Sequence, residues 1–277
     1  MSSGSMTRRI QLGGQLRRLR EARGITRADA GYAIRSSESK ISRMELGRVG
    51  FKERDVADLL TLYGVTEADE RQPILDLAAA ANRPGWWQEY SDVIPAWMTT
   101  YLGLEEAASL IRTYAPQFVP DLLQTEDYAR ALLRTAHPKA HPDELETRVT
   151  IVKRRQHAFF RPDGPRLWAV LDEAVLRRPV GDEKIHQAQL AHLLSLKGVI
   201  LQILPFKSGA HPATAGPFTL LRFPQPDLPD TVFTHSLTGS THHDHPTAVD
   251  THLRTMEHLC VLANPPATTP THLTPTP

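Results

Sequence analysis

Apolar residues recur with a helical period through the first 82 positions. Leu12, Leu16 and Leu19 stand at i, i+4 and i+7, with Arg17, Arg18, Arg20 and Glu21 on the other side, and Gly24 ends the run. Thr26 with Asp29 three residues on is an N-cap pair for a second short helix over 27–34. Ser36 or Ser37 caps a third, which runs through Ile41 and Met44 to Gly47. A fourth follows Asp55, carries Val56, Leu59, Leu60 and Tyr63, and stops at Gly64; a fifth spans 67–82. The pattern breaks over 83–103, where Pro84, Gly85, Trp86, Trp87, Pro95 and Trp97 predict an aromatic linker that docks on a second domain. In that second domain the pattern is mixed. Helices are predicted over 104–114, 125–136, 143–161, 182–197 and 246–263, and the third of these carries one stripe of Leu145, Val149, Val152 and Phe159. Strand-like runs cover 166–172, 199–205, 218–223 and 231–237.

Residues 1–7, with MSSGSM resembling an expression-tag remnant, and the Pro/Thr-rich tail 264–277 are expected to be disordered. The expected fold is α+β. An all-α five-helix domain over 8–82 precedes the linker, and a domain over 104–263 combines helices with a small, mainly antiparallel sheet. One cysteine, Cys260, excludes an internal disulfide framework and any CxxC metal site. No apolar run reaches 18 residues and the start lacks an apolar signal region, so a cytoplasmic protein with no membrane partner is expected.

The net charge of +1 hides an asymmetry. Residues 1–60 hold 13 Lys/Arg against 7 Asp/Glu, whereas the remainder holds 19 against 24. A small basic module joined to a larger acidic one fits nucleic-acid contact by the first. Two short capped helices around a tight turn inside that module suggest a helix-turn-helix. On the stretches LGGQLRRLREARGIT, SKISRMELG and VADLLTLYGV, residues 12–64 resemble the phage-repressor (XRE-type) helix-turn-helix family. The resemblance implies that Ile41 packs the recognition helix down, that Glu45 is the family's glutamate near its end, and that Ser39, Lys40 and Arg43 meet double-stranded DNA. Arg27, Arg35, Ser37 and Glu38 complete the candidate DNA-binding set. Four positions depart from the pattern. Arg27 and Glu38 stand where relatives carry Gln, and Glu only accepts hydrogen bonds where Gln pairs bidentately with adenine. Arg35 replaces the turn glycine, and Gly31 replaces a helical Ala at about 0.5–1 kcal/mol.

Residues 84–262 resemble the large C-terminal domain of unknown function in actinobacterial antitoxin-like helix-turn-helix regulators. The matching stretches include PGWWQEY, YLGLEEAASLIRTYAPQFVPDLLQTEDYARALL, RLWAVLDEAVLRRPVG and ILPFKSGAHPATAGPFTLLRFP; Asp121 departs from a Gly in relatives. The resemblance implies a homodimeric transcriptional regulator, often partnered with a small protein encoded nearby. The polar residues in these motifs make Glu105, Arg112, Tyr114, Gln124, Asp172, Glu173 and His211 the candidate ligand-binding set. Asp172 and Glu173 close a predicted strand, where they either open a pocket mouth or form a buried ion-pair network with Arg177 or Arg178. Arg154 and Arg155 are read as solvated surface. Six of the 13 histidines fall between His235 and His258, without a paired metal-ligand spacing, so neither a metal nor another cofactor is expected.

Three functions remain open. The first is a DNA-binding regulator whose C-terminal domain senses a small molecule or a small protein partner. The second is a regulator fold turned biosynthetic enzyme, with decayed DNA readout and Asp172, Glu173 and His211 as acid/base candidates. The third is a protein that only sequesters its partner.

Overall fold

The structure is a computed structural model that describes residues 5–224 and 228–269. The chain divides into two compact units, one reaching to Glu89 and the other running from Tyr90. Of the two segments expected to be disordered, 1–7 and 264–277, residues 1–4 and 270–277 lie outside the described residues.

The first unit is five helices: α1 (Ser5–Ala22), α2 (Arg27–Ala33), α3 (Glu38–Glu45), α4 (Glu53–Leu62) and α5 (Ala68–Ala81). Residues 5–7, expected to lack structure, are already helical. Thr26 and Asp29 form a reciprocal capping box on α2, and of the two candidate serines Ser37 caps α3, its hydroxyl accepting from the Lys40 amide. Leu12, Leu16, Ile41, Met44, Val56, Leu59, Leu60 and Tyr63 are buried in one cluster. Burying each such side chain stabilises the unit by about 1.5–3 kcal/mol before the loss of chain entropy is subtracted.

Backbone proximity explains two glycines. A Cβ at Gly13 would overlap the Met44 and Glu45 carbonyl oxygens, so only glycine lets α1 cross α3 this closely. Gly31 lies under the turn, where a Cβ would stand 2.9 Å from the Ser36 carbonyl oxygen. Its weakening of α2 is therefore the condition for a tight α2–α3 turn. Arg35 in that turn has φ +54°, the only positive value at a non-glycine among the described residues.

A buried carboxylate ties three helices together. Arg20 of α1 donates from Nε to Glu45 Oε1 at 2.5 Å and from Nη2 to Oε2 at 3.2 Å. Arg27 of α2 donates to the same Oε2 at 2.9 Å. Arg20 also donates to the Ile25 carbonyl at 2.8 Å, fixing the α1–α2 loop. The hydrogen bond to Glu45 holds the Arg20 guanidinium above its ordinary pKa despite burial. Burial and the Glu45 charge push the Tyr63 phenol up to about 12.

The second unit is built on a six-stranded mixed sheet. Its strands are β1 (Leu110–Ala115), β2 (Arg166–Asp172), β3 (Val199–Leu204), β4 (Phe218–Arg222), β5 (Thr231–Ser236) and β6 (Gly239–His243), in the order β3-β2-β1-β4-β5-β6. The pairs β1–β2 and β2–β3 are parallel; β1–β4, β4–β5 and β5–β6 are antiparallel. The helices are α6 (Ala96–Ala107), α7 (Glu126–Ala136), α8 (Pro142–Phe159), α9 (Glu173–Arg177), α10 (Glu183–Ser195) and α11 (Pro246–Leu262). Val249, Met256 and Leu259 of α11 pack on Tyr114, Val170, Phe218, Leu220 and Val232. Strand alternation turns Phe233 to the opposite face, where Tyr101 of α6 meets it edge-on at 4.9 Å.

Two strands escaped the pattern. The helix expected over 104–114 is α6, which starts inside the expected linker and ends at Ala107, and 110–115 is the central strand. No Gly or Pro marks that break; Ala108 simply turns extended, at ψ 149°. A centre strand buried on both faces shows no alternation, and Arg112 and Thr113 hide its apolar run. β6, GSTHH, is a polar edge strand. The tail expected to be disordered from 264 is held as far as Thr269. The Asn264 amide donates to the Ile203 carbonyl at 2.8 Å and the Thr269 hydroxyl to the Leu201 carbonyl at 2.6 Å, covering the free edge of β3.

Arg35→Gly is expected to raise stability by about 0.5–1 kcal/mol, because glycine occupies positive φ without strain. Glu45→Ala, which strands Arg20 in the core, should lower it by about 3–5 kcal/mol. Urea titration followed by helical circular dichroism measures both; an unchanged midpoint for Glu45→Ala would show that the clamp is dispensable.

Candidate functional site

The turn and the start of α3 form an exposed polar surface. Arg35, Ser37, Glu38, Ser39 and Arg43 are exposed, the last donating weakly to the Ser39 carbonyl at 3.4 Å. Glu38 occupies the first turn of α3, where the helix dipole favours a carboxylate. The other two candidates are engaged within the unit. Lys40 holds Asp55 of α4 at 2.7 Å, and Arg27 sits on Glu45. Tyr32 near the end of α2 is 87% exposed, which its sequence position does not signal, since an aromatic at helical spacing reads as core.

In the second unit the candidate ligand residues fall into separate places. Asp172 caps α9, accepting from the Ala174 amide at 2.8 Å. Glu173 accepts from Arg177 at 2.6 Å and from the Phe206 amide at 2.9 Å; Arg177 is 70% exposed, so this is a surface pair and not a buried network. Arg178 instead donates to the Gln117 carbonyl and covers the Phe118 ring. Tyr114 and His211 Nε2 share a hydrogen bond of 3.2 Å, and burial plus the Asp172 charge push the Tyr114 phenol up to about 12. His211 Nδ1 is buried and has no hydrogen-bond partner among the described residues. Arg112 stacks over Trp168 at 5.0 Å and reaches the Cys260 sulfur at 3.7 Å. Gln124 is buried and donates to the Val119 carbonyl. The histidines near the end pack: His242 stacks on Phe233, and His243 on His252. No group of three His, Cys, Asp or Glu among the described residues is placed to hold a metal.

Two adjoining cavities lie on the α6/α8 side of the sheet, of about 260 and 730 Å³. Both are lined by Trp97, Met98 and Asp121. The smaller adds Tyr101, Thr113, Thr219 and His235; the larger adds Leu132, Leu133, Ile151 and Val152. Of the candidate ligand residues, Gln124 lines the larger and Tyr114 the smaller. Asp172, Glu173 and His211 line neither.

Arg155, expected on the solvated surface, is instead buried. It is 5% exposed and makes a two-pronged pair with Glu105, both contacts 2.9 Å, plus a 2.5 Å contact to Asp121. Burial alone would lower its pKa, but the Glu105 and Asp121 charges hold it well above the ordinary value. Its ring neighbour Tyr101 lies 5.5 Å away. The helical register of α8 could have signalled this, since Arg155 follows Val152 by three and precedes Phe159 by four, both buried.

Residues 98–274 match the family described as a domain of unknown function, DUF5753, and residues 11–73 match a family described as a helix-turn-helix domain. No curated protein and no solved structure matches the chain. With the first match covering well over half its length, the chain belongs to the DUF5753 family, and it carries a helix-turn-helix domain, the module of DNA-binding regulators, ahead of it.

Proposed function

We propose that the chain is a transcriptional regulator of the phage-repressor (XRE) type within the antitoxin-like group. In this reading residues 37–43 enter the major groove of double-stranded DNA, and the unit from Tyr90 onward senses a small molecule. The observation that carries the DNA half is the exposed, Ser37-capped start of α3 held on the Glu45 clamp. A recognition helix needs a rigid seat because a base contact tolerates little misplacement. Glu38, Ser39 and Arg43 are the base and phosphate contacts, and Arg35 and Tyr32 flank them. Arg27 acts through Glu45 as a positioning residue, and Lys40 reaches phosphate only by leaving Asp55. Binding as a homodimer to two half-sites about 34 Å apart, in the cytoplasm, completes the proposal. The larger cavity supports the sensing half, since its volume is that of a small-molecule site. A small protein encoded nearby is the alternative signal.

Selection from a random duplex pool tests the DNA half: a palindrome bound at roughly 10⁻⁸ M or tighter supports it. No duplex bound better than roughly 10⁻⁴–10⁻⁶ M would sink it. On the selected site, Arg43→Ala should weaken binding and reduce the salt slope by about one. Lys40→Ala should change it less, because Asp55 already neutralises that lysine. Asp55→Asn, which releases Lys40, should tighten binding to all duplexes; equal effects of the two cation deletions would refute this division.

A further inference from the structure

The charge at the paired cavities is unbalanced. Arg155 brings one positive charge to two carboxylates, Glu105 and Asp121. Glu105 and Arg155 are almost wholly buried, whereas the Asp121 side chain is 46% exposed. The excess negative charge of this triad therefore emerges at Asp121, which lines both cavities. No other described group lining them cancels it. Arg148 lines the larger cavity, but Glu144 holds it at 2.7 Å. His137 and His235 are pushed below the ordinary imidazole range, by burial first, which disfavours their charged form. Asp92, exposed at the larger cavity, adds a further carboxylate.

Aromatic rings stand beside this charge. Trp97 lines both cavities and is 37% exposed, so part of its surface is open to a ligand. His235 packs edge-on to both Trp97 and Tyr101, at 6.3 and 5.8 Å, and so braces the Trp97 ring. Leu132, Leu133, Ile151 and Val152 line the larger cavity with apolar surface. A carboxylate next to an aromatic face, backed by apolar walls, favours a weakly hydrated cation on an apolar body. An anion would meet Asp121 with no free cation to offset it.

We infer that these cavities bind a small organic cation, an ammonium or guanidinium on an apolar body, with its charge at Asp121 and Trp97. The inference deepens the sensing half of the proposed function and rests on it. Asp121 supplies the charge, Trp97 the ring face, and the α7/α8 side of the larger cavity takes the apolar body.

Three probes with one aromatic body test it on the full chain by titration calorimetry: phenethyltrimethylammonium, phenethyl alcohol and 3-phenylpropionate. The cation should bind at least about tenfold more tightly than either of the others, and quench tryptophan fluorescence as it does so. In Asp121→Asn, and separately in Trp97→Leu, the preference for the cation over the alcohol, read as the ratio of their affinities for the same variant, should shrink to about threefold or less. Alcohol or propionate binding as tightly as the cation overturns the inference and leaves small-molecule sensing standing. Failure of all three to bind at millimolar concentration overturns the inference as well. The unsubstituted chain alone decides these outcomes, so they stand even if Asp121→Asn, having lost one partner of Arg155, melts early.

Discussion

A charge taken out of water must be matched, and each unit of this chain is organised around one such match. Glu45 is the first. Its side chain is 3% exposed and receives Arg20 and Arg27 from two other helices. An unpaired carboxylate at that depth would be strongly disfavoured, so the three helices hold one arrangement in which both guanidiniums arrive. That arrangement aims the start of α3 outward and fixes the loop between α1 and α2 through the Ile25 carbonyl. The tight turn and its positive-φ Arg35 are the strain this arrangement accepts.

Arg155 solves the same problem with the signs reversed. Here the cation is central and two carboxylates come to it, one from α6 and one from the 3-10 turn at 121–123. One buried helix residue thereby fastens α8 to α6 and leaves Asp121 at the cavity wall with uncancelled charge. Gln156 extends the hold by donating to the Asp121 and Gln124 carbonyls, at 2.7 and 2.8 Å. Gln189 does the same from α10, bonding the Leu123 carbonyl and the Thr125 amide. These two amides, one buried and one half-buried, thus use their hydrogen-bonding capacity on the loop that shapes the cavities, which makes them scaffold.

Much of the helical unit was legible in the sequence because its rules are local. Leu12 and Leu16, the Thr26–Asp29 box and the cap before α3 are written within a few residues of one another, and the elements form accordingly. The same holds for α8, whose stripe of Leu145, Val149, Val152 and Phe159 is buried as the 3.6-residue period requires. The candidate residues fared less evenly. Ser37, Glu38, Ser39 and Arg43 are all exposed on one short helix, while Ile41 between them turns into the core and Lys40 is held by Asp55. Asp172, Glu173 and His211 were grouped by chemistry alone, and the fold uses the first two as a cap and an ion-pair member.

The sequence by itself determined the class of the fold, the five helices of the first unit, four of the six strands and the helix-turn-helix surface. Each depends on periodicity, capping or turn chemistry that operates over less than about four turns of chain. Only the tertiary structure decided that 110–115 is the central strand, that Gly31 admits the turn, and that Arg155 is buried. These depend on partners distant in sequence: Arg166–Leu171 and Phe218–Arg222 for the strand, Glu105 and Asp121 for the arginine. A polar residue in a sequence carries no mark of whether a counter-charge will meet it in the core, because that charge is brought by folding and not by neighbourhood.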